Sequence, residues 1–482
     1  MRSFTSLAIF GLLPLSFTAP APALVAGPVP EITPAPRFAT ASIEKRQLLP
    51  NLLNVAIGLA TSLLKDVDNA VANSNPSAVN SALVKIQPTT KPTAISQALA
   101  QQQSVWASPT RTNIFGAIAT QVANGLGPAL DGTLNTALQG GLPVGENSIS
   151  NNNKAVGNIY PSKRGSNDPQ YSISEAHLRA AIFIPSGFTY GKKTPVLFVP
   201  GTGSYGGTTF ANNLRKLLTG QSYADPVWLN VPGAMIGDAQ INSEYIAYAI
   251  NYISAVSANK KIAVVSWSQG GLDTQWVLKY WPSTRSIVQD FLPVSPDFAG
   301  TIIANALCLS SNSQIGAVPC NPSVIQQQRT SNYVQALRKN GGDRAFVPTT
   351  TFYSGFFDEI VQPQQGTGAS AFLPAGLAPA TNIEVQTFCA NQPGGSFYGH
   401  AGALFHPLTY ALIVDALTHP GTTGQVGRIN RQAVCASYAA PGLDLDDVLA
   451  TSGLIPVAGV LLLAYPQKML TEPPLKAYAL RG

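Results

Sequence analysis

The apolar positions of the chain follow two different spacings, and the change comes near residue 170. Before residue 140, apolar residues recur every three or four positions and predict short helices with one apolar face. Two such faces consist of Leu52, Val55, Leu59 and Leu63, and of Phe115, Ile118, Val122 and Leu126. Faces of this kind are typical of helices packed on a core. The alternative is a segment that covers the mouth of a site or lies against a lipid interface.

After about Tyr171, short uninterrupted apolar runs alternate with helical patterns. The runs predict strands at Pro195–Val199, Asp225–Val231, Ile262–Trp267, Phe291–Val294, Pro348–Tyr353 and Ile383–Phe388. Helical spacing predicts helices at Ser243–Val256 and Leu272–Trp281. Such alternation indicates the α/β class: a mostly parallel central sheet with helices on both faces, here following a helical N-terminal extension. Ligands of such sheets bind at the C-terminal ends of the strands.

Ser268 lies at one of these strand ends, in a tight turn between the strand at Ile262–Trp267 and the following helix. A serine at the apex of a strand–turn–helix is typical of the nucleophile elbow, usually written G-x-S-x-G. Ser266 replaces the first glycine of that pattern, and Gly270 supplies the second. A serine in such a turn can equally be only a turn former, so this motif alone leaves both interpretations open.

A glycine-containing loop, Val199–Gly203, follows the predicted strand at Pro195–Val199. In hydrolases with an elbow, one donor of the oxyanion hole comes from a loop at this place, and the other is the N–H after the nucleophile. The sequence therefore predicts Thr202, through its N–H and hydroxyl, and Gln269, through its N–H, as oxyanion donors.

An acid and a base for Ser268 are predicted further along the chain. Asp358 or Glu359 follows the strand that ends near Tyr353, although an acidic pair in a loop is more often solvated surface. The histidines after Ser268 are His400, His406 and His419. The order Ser, Asp, His suits a catalytic triad. Small neighbours leave His400 free on a loop, whereas the other two flank a predicted helix, so we rank them in that order.

Composition and charge narrow the possible partners. The chain has 482 residues, of which 11% are charged, and a formal net charge of 29 − 23 = +6. The basic residues are scattered, without the stripe that nucleic-acid binding requires, so no nucleic-acid partner is predicted. The sequence contains no H-E-x-x-H zinc motif and no P-loop, so neither a metal nor a cofactor is predicted.

The N-terminal residues predict export. A positive Arg2, an apolar run at Leu7–Phe17 and small residues after it are typical of a signal peptide, assigned to residues 1–23. A Pro/Ala-rich stretch ending at Lys45-Arg46 predicts a propeptide over residues 24–46. Further boundaries are a helical extension at 47–140, a linker at 141–170, a catalytic domain at 171–440 and a C-terminal helix and tail at 441–482. The apolar run Leu454–Leu463 is too short to cross a bilayer, so no transmembrane segment is predicted.

Four cysteines in an exported chain predict two disulfides, for which three pairings exist. Cys308 and Cys320 are close in sequence and separated by a loop rich in Ser and Asn, which favours their pairing. Cys389 would then pair with Cys435.

Six sequence stretches resemble the Candida antarctica lipase B-like family, which comprises fungal secreted serine lipases of the α/β-hydrolase fold. They are VPGTG at 199–203, INSEY at 241–245, SWSQGG at 266–271, SPDFAGT at 295–301, VPTTTFYSGFFDEIVQPQ at 347–364 and GHAG at 399–402. They spread over about half of the chain, in the order of the family. The region before Tyr171 has no counterpart in the short family example, and Cys308–Cys320 has the character of an addition.

The resemblance implies roles for individual residues. Ser268 would be the nucleophile, Asp358 the acid and His400 the base, with Thr202 and Gln269 as oxyanion donors. Polar groups near the acyl pocket would be Asp297 and Gln328, and Ile360 would form part of its wall. The C-terminal helical segment would flank the cleft mouth, the alternative being an ordinary core helix.

The expected activity is hydrolysis of carboxylic esters of fatty acids through an acyl-serine intermediate. The expected partners are a lipid or small ester substrate and a lipid–water interface. An acyltransferase using the same triad is one alternative, and a lipid-surface binding protein without activity is another.

Overall fold

A single sheet of seven strands runs through the part of the chain that the computed structural model describes, which is residues 65–67, 69–70, 73, 75–107, 114–127, 145–304 and 319–481. The strand order is β1-β3-β2-β4-β5-β6-β7. β1 pairs antiparallel with β3, and every other neighbouring pair is parallel. The strands are β1 Ile182–Phe183, β2 Pro195–Val199, β3 Asp225–Leu229, β4 Ile262–Trp267, β5 Val288–Val294, β6 Thr349–Tyr353 and β7 Ala380–Glu384.

Fifteen α-helices are found in the described residues, before, between and after the strands. They are α1 Pro76–Leu83, α2 Ile95–Trp106, α3 Ile114–Ala123, α4 Glu175–Ala180, α5 Gly206–Phe210, α6 Leu214–Leu218, α7 Ala239–Val256, α8 Gln269–Tyr280, α9 Pro322–Gln326, α10 Asn332–Arg338, α11 Val385–Phe388, α12 Pro407–Thr418, α13 Arg431–Cys435, α14 Leu445–Ser452 and α15 Leu454–Ala464.

The five inner strands, β2 to β6, are buried on both faces because successive side chains enter two different cores. In β2, Val196 and Phe198 belong to one apolar cluster, and Leu197 and Val199 belong to the other. Helices α7, α8 and α10 contribute to the cluster that contains Leu197, whereas α1, α3, α12 and α15 contribute to the cluster that contains Val196. The predicted mostly parallel sheet with helices on both faces is confirmed.

One predicted strand was wrong in its second half. The run Ile383–Phe388 was expected to be a strand, but the strand ends at Glu384 and residues 385–388 form α11. The neighbouring β6 ends at Tyr353, whose ladder partner is Glu384. The apolar residues beyond Glu384 therefore have no strand to pair with, and they take up helical hydrogen bonds instead.

Part of the N-terminal extension forms helices that pack against the C-terminal segment. The predicted face of Phe115, Ile118, Val122 and Leu126 is buried, and α1 and α3 both contact α15. A Cβ atom on Gly459 of α15 would lie 2.8 Å from Ile118 Cδ1, so the glycine allows close approach of the two helices. The signal peptide, the propeptide and the face that includes Leu52 lie outside the described residues.

The C-terminal helices α14 and α15 follow one another with only Gly453 between them. Together, Leu445–Ala464 form the one segment among the described residues that is long and apolar enough to cross a membrane. However, most of it is buried inside the protein, as in a core helix. This segment is longer than the predicted run Leu454–Leu463, because α14 directly precedes α15.

The predicted disulfide between Cys389 and Cys435 is confirmed, and it closes a segment of 46 residues that contains His400. Cys308 lies outside the described residues, so its predicted pairing with Cys320 stays a prediction.

Candidate active site

Ser268 stands at a sharp turn between the last residue of β4 and the first residue of α8. Its backbone angles, φ 54° and ψ −131°, are in a region that non-glycine residues rarely adopt. A Cβ atom on Gly270 would lie 2.5 Å from the Pro200 carbonyl oxygen, and one on Gly201 would lie 2.8 Å from Ser268 Cβ. The loop after β2 therefore lies directly against the turn, and both glycines are needed for that approach.

Asp358 and His400 form a buried pair on the loops that follow β6 and α11. Nδ1 of His400 lies 2.9 Å from Oδ2 and 3.0 Å from Oδ1 of Asp358. The carboxylate also accepts bonds from the N–H groups of Ile360 and Val361, at 3.0 and 2.8 Å. These bonds fix the carboxylate, which in turn orients the imidazole and favours the proton on Nδ1.

The other ring nitrogen of His400 is available for chemistry. Nε2 is buried and has no hydrogen-bond partner among the described residues. His400 and Ser268 line the same cavity, and the Trp267 ring lies beside the imidazole at 5.2 Å. Trp267 Nε1 donates to the carbonyl of His400, which ties the residue before the elbow to the histidine loop.

Buried acidic groups surround His400. Burial would lower the pKa of His400, but the charge and hydrogen bond of Asp358, with Glu359 and Asp297, outweigh burial and raise it. Burial and the neighbouring Asp358 raise the pKa of Glu359 to about 7, and Glu359 accepts a bond from the His400 N–H at 2.7 Å. Burial also raises the pKa of Asp297 to about 7. The site therefore favours a protonated, positively charged His400 more than water does.

Thr202 and Gln269 meet beside Ser268. Thr202 Oγ1 donates to Gln269 Oε1 at 2.6 Å and lies 3.1 Å from Gln327 Oε1. Gln269 is the first residue of α8, where a helix has unpaired N–H groups and a partial positive charge. The backbone N–H groups of Thr202 and Gln269 have no acceptor within the described part of the chain. This arrangement suits an anionic oxygen.

A cavity opens at these residues. Its polar lining is confined to a few side chains on the loops and helices at the C-terminal ends of the strands, and the rest is apolar. The lining residues are Ile114, Ile118, Thr202, Trp267, Ser268, Thr301, Ala304, Val324, Gln327, Ile360, Val361, His400, Ile455, Ala458, Gly459 and Leu462.

The structure separates the three candidate histidines. His406 is buried and precedes α12, where Nδ1 accepts from the Leu408 N–H and Nε2 bonds the Gly394 carbonyl. Burial lowers the pKa of His406 to about 4. His419 follows α12, half exposed, 3.3 Å from Asp415. Of these three histidines, only His400 lines the cavity that Ser268 also lines.

The predicted pocket residues are placed less uniformly. Ile360 lines the cavity, as the resemblance implied, but Gln327 lines it in place of Gln328. The sequence offered three consecutive glutamines without a way to choose among them, and the short helix α9 determines which one points to Thr202. Asp297 is fully buried, neither of its carboxyl oxygens has a hydrogen-bond partner in the part of the chain that the structure describes, and it is absent from the lining.

Sequence reasoning did not assign Gln327 to the site, nor Ile114 and Ile118 individually. The spacing of Ile118 with Phe115 and Val122 did indicate a buried face. Which part of the protein this face contacts becomes visible only in the folded structure. The bond from the His400 N–H to Glu359 was also missed, although Glu359 had been considered as the alternative acid.

Two known proteins are similar to the chain over most of their own length. Lipase B of Pseudozyma antarctica is 35% identical over 314 residues, which cover 65% of this chain and 86% of that protein. The crystal structure of Aspergillus fumigatus lipase B matches with a TM-score of 0.75 and 41% identity, covering 88% of this chain and 99% of that one. No family model matches the chain.

Proposed function

The chain belongs to the lipase B family and is a lipase of the α/β-hydrolase fold, and we propose that it cleaves fatty-acid esters through an acyl intermediate on Ser268. The observation that carries this proposal is the buried Asp358–His400 pair at the cavity that Ser268 lines from a strained turn. A nucleophile at the end of β4, an orienting acid on the loop after β6 and a base on the loop after α11 are the parts that acyl transfer from an ester needs.

His400 takes the proton of the Ser268 hydroxyl as its oxygen attacks the ester carbonyl. Asp358 stabilises the imidazolium that forms, and the raised pKa of His400 has the same origin. His400 then protonates the leaving alcohol. Water, activated by the same histidine, cleaves the acyl-serine and releases the fatty acid.

The tetrahedral oxyanion is held by the N–H groups of Thr202 and Gln269, with the Thr202 hydroxyl as a third donor. Both N–H groups lack a protein acceptor in the described residues, and the N-terminus of α8 adds a favourable potential. To serve the oxyanion, the hydroxyl of Thr202 turns its proton away from Gln269 Oε1, a rotation about one bond.

The substrate is an ester with an apolar acyl chain, such as an acylglycerol. Isoleucine, leucine, valine and alanine side chains make up most of the cavity lining, and such a wall gains free energy from burying a hydrocarbon chain. A lipid–water interface is the place where such a substrate is found.

The protein is exported and processed before it acts. Residues 1–23 serve as a signal peptide and residues 24–46 as a propeptide, for the sequence reasons given above. The extension at 47–140 and the C-terminal segment at 441–482 together cover the mouth of the site. Ile118 and Gly459, one from each segment, line the cavity and meet there, which supports this role.

Replacing the nucleophile tests the proposal. Ser268→Ala is expected to abolish hydrolysis of p-nitrophenyl butyrate and labelling by a fluorophosphonate probe, while the folded protein persists. Ser254→Ala, which removes another buried serine hydroxyl, bonded to the Lys260 carbonyl, is the matched control and should keep both. Activity of Ser268→Ala equal to that of the wild type would refute the assignment. Tributyrin and a long-chain triglyceride, assayed side by side, would define the substrate class.

A further inference from the structure

We propose that Asp273 is a positioning residue for the oxyanion hole, which acts by fixing the side-chain amide of Gln269 and, through it, the hydroxyl of Thr202. The inference rests on the proposed function of these two residues as oxyanion donors. Asp273 lies one helical turn after Gln269 on α8, and it is absent from the cavity lining.

Asp273 is fully buried and forms no ion pair among the described residues. Both of its oxygens accept hydrogen bonds: Oδ2 from Gln269 Nε2 at 3.1 Å, and Oδ1 from Tyr333 Oη at 2.9 Å. A buried carboxyl group without a cation is costly for stability, and burial raises its pKa well above the ordinary range. The contacts of Asp273 therefore suggest a role other than adding stability.

The Tyr333 side of Asp273 is rigid. The Tyr333 ring stacks on Trp276 with 4.0 Å between centroids, and its Oη lies 3.2 Å from Ser243 Oγ. All of these side chains are buried. One oxygen of Asp273 is thus held by Tyr333, and the other is left to face Gln269.

The two ends of an amide side chain have different roles in hydrogen bonding, because its oxygen accepts and its nitrogen donates. Asp273 Oδ2 accepts, so it holds Nε2 of Gln269 towards itself and turns Oε1 towards the cavity. There Oε1 accepts from Thr202 Oγ1 at 2.6 Å and from Gln327 Nε2 at 3.1 Å. With the amide reversed, Gln269 Nε2 would face the donor Nε2 of Gln327. Asp273, together with Gln327 Nε2, therefore selects the orientation in which Oε1 accepts from the Thr202 hydroxyl.

The consequence is that Oγ1 of Thr202 is held in one place at the cavity of Ser268 before substrate binds, so that only its proton has to turn from Gln269 Oε1 to the oxyanion. Preorganised donors of this kind stabilise the transition state rather than the bound substrate. Loss of Asp273 should consequently lower kcat and leave KM nearly unchanged. Removing an oxyanion donor outright costs about 10²–10³-fold in kcat, and disordering one that remains should cost about 10-fold.

The test compares two substitutions of Asp273 with a control on the same helix. Asp273→Leu has no acceptor for Gln269 and should lower kcat for p-nitrophenyl butyrate about 10-fold. Asp273→Asn keeps one amide oxygen for Gln269 Nε2 and should recover most of kcat. Gln275→Met removes buried bonds to the Gly342 and Arg344 carbonyls, away from the cavity, and should keep wild-type kcat and KM at a similar loss of stability.

Gln269→Leu provides a second variant that keeps the α8 backbone N–H. It should lower kcat to a similar degree, and combining it with Asp273→Leu should add little, because both substitutions disable the same link. Wild-type kcat in Gln269→Leu or in Asp273→Leu, or equal losses in Asp273→Asn and Asp273→Leu, would overturn the inference. Failure of the proposed function itself would be seen separately, as an active Ser268→Ala enzyme.

Discussion

The cavity has two walls that are built by different forces. The first consists of Ser268 and Thr202, at the ends of β4 and β2, and of His400, on the loop after α11, and hydrogen bonds orient the side chains of Thr202 and His400. The second consists of side chains from α3 and α15, and it is apolar throughout. We call these the polar wall and the apolar cover. From this comparison we propose that chemistry and substrate selection are encoded in separate parts of the chain.

The two walls also differ in how they tolerate change. A hydrogen-bonded catalytic group loses its function when it is displaced by a fraction of an ångström or turned by a few tens of degrees. A packed methyl group can be replaced by another apolar group, and the main consequence is a change in the volume of the cavity. Substitutions in the polar wall should therefore affect turnover of every ester. Substitutions in the apolar cover should affect some esters and spare others.

The largest expected effect comes from removing the base of the polar wall. His400→Ala should lower kcat by about 10⁴-fold or more, as loss of a triad member does. His406→Ala is the matched control, since it removes another buried histidine, which caps α12. That variant should lose about 1 kcal/mol or more of stability and keep turnover at a temperature where it is folded. Equal losses of kcat in the two variants would assign no special role to His400.

The polar wall could be predicted from sequence to the extent that strand ends determine it. Ser268, Thr202 and Asp358 each follow an apolar run, and parallel strands bring such ends to one edge of the sheet. Chain order and the small neighbours of His400 indicated that His400 pairs with Asp358 or Glu359, and the family resemblance implied Asp358. What the pattern did not resolve was Gln327 against Gln328, because the choice depends on how the five-residue helix α9 packs.

The apolar cover could be predicted only in part. The spacing of Phe115, Ile118 and Val122 correctly indicated a buried helical face, but a periodic pattern carries no information about its partner. The contact of Ile118 with Gly459 joins positions more than 300 residues apart. The missing information about partners also explains α11. Its residues fit the pattern of a strand, but β6 ends at Tyr353 and offers no strand with which they could pair.

The second prediction concerns the disulfide that supports the polar wall. Cys389–Cys435 closes a 46-residue segment containing His400, and a Cβ atom added to Gly394 in that segment would lie 3.1 Å from Cys389 Sγ. Replacing both cysteines with serine should lower the free energy of unfolding by about 4 kcal/mol in the chain-entropy model. Urea unfolding monitored by tryptophan fluorescence measures this loss. An unchanged unfolding midpoint would mean that the polar wall does not depend on the cross-link.

The third prediction concerns the apolar cover. Ile118→Ala should enlarge the cavity and raise kcat/KM for p-nitrophenyl palmitate relative to butyrate by about 10-fold, the order expected for a few methylene groups in an apolar pocket. Val122→Ala creates a similar void on the same helix but does not line the cavity, so it should keep the wild-type ratio. If both variants change the ratio equally, the effect comes from loosening α3, and the cover does not select substrates.

The smallest expected effect is a shift of the pH profile of kcat/KM. This shift depends on charges near the polar wall, so it distinguishes the polar wall from the apolar cover without a change in the shape of the cavity. Protonated His400 cannot accept the Ser268 proton, so kcat/KM should fall as pH decreases through the pKa of His400, which lies above its ordinary value. Asp297 is one cause of that increase. Asp297→Asn should therefore move the acid limb of the kcat/KM profile to lower pH. The shift should be small, because burial raises the pKa of Asp297 itself to about 7 and leaves it only partly ionised there.

Asp290→Asn is the control for this shift, because burial raises the pKa of Asp290 to about 7 as well, but Asp290 does not contribute to the raised pKa of His400. Its profile should match that of the wild type. Ile118→Ala should also keep the wild-type profile, since the apolar cover carries no titratable group on the cavity. An acid limb that moves in Ile118→Ala would contradict the division into two walls, because it would mean that the cover controls the environment of His400 as well as the size of the cavity.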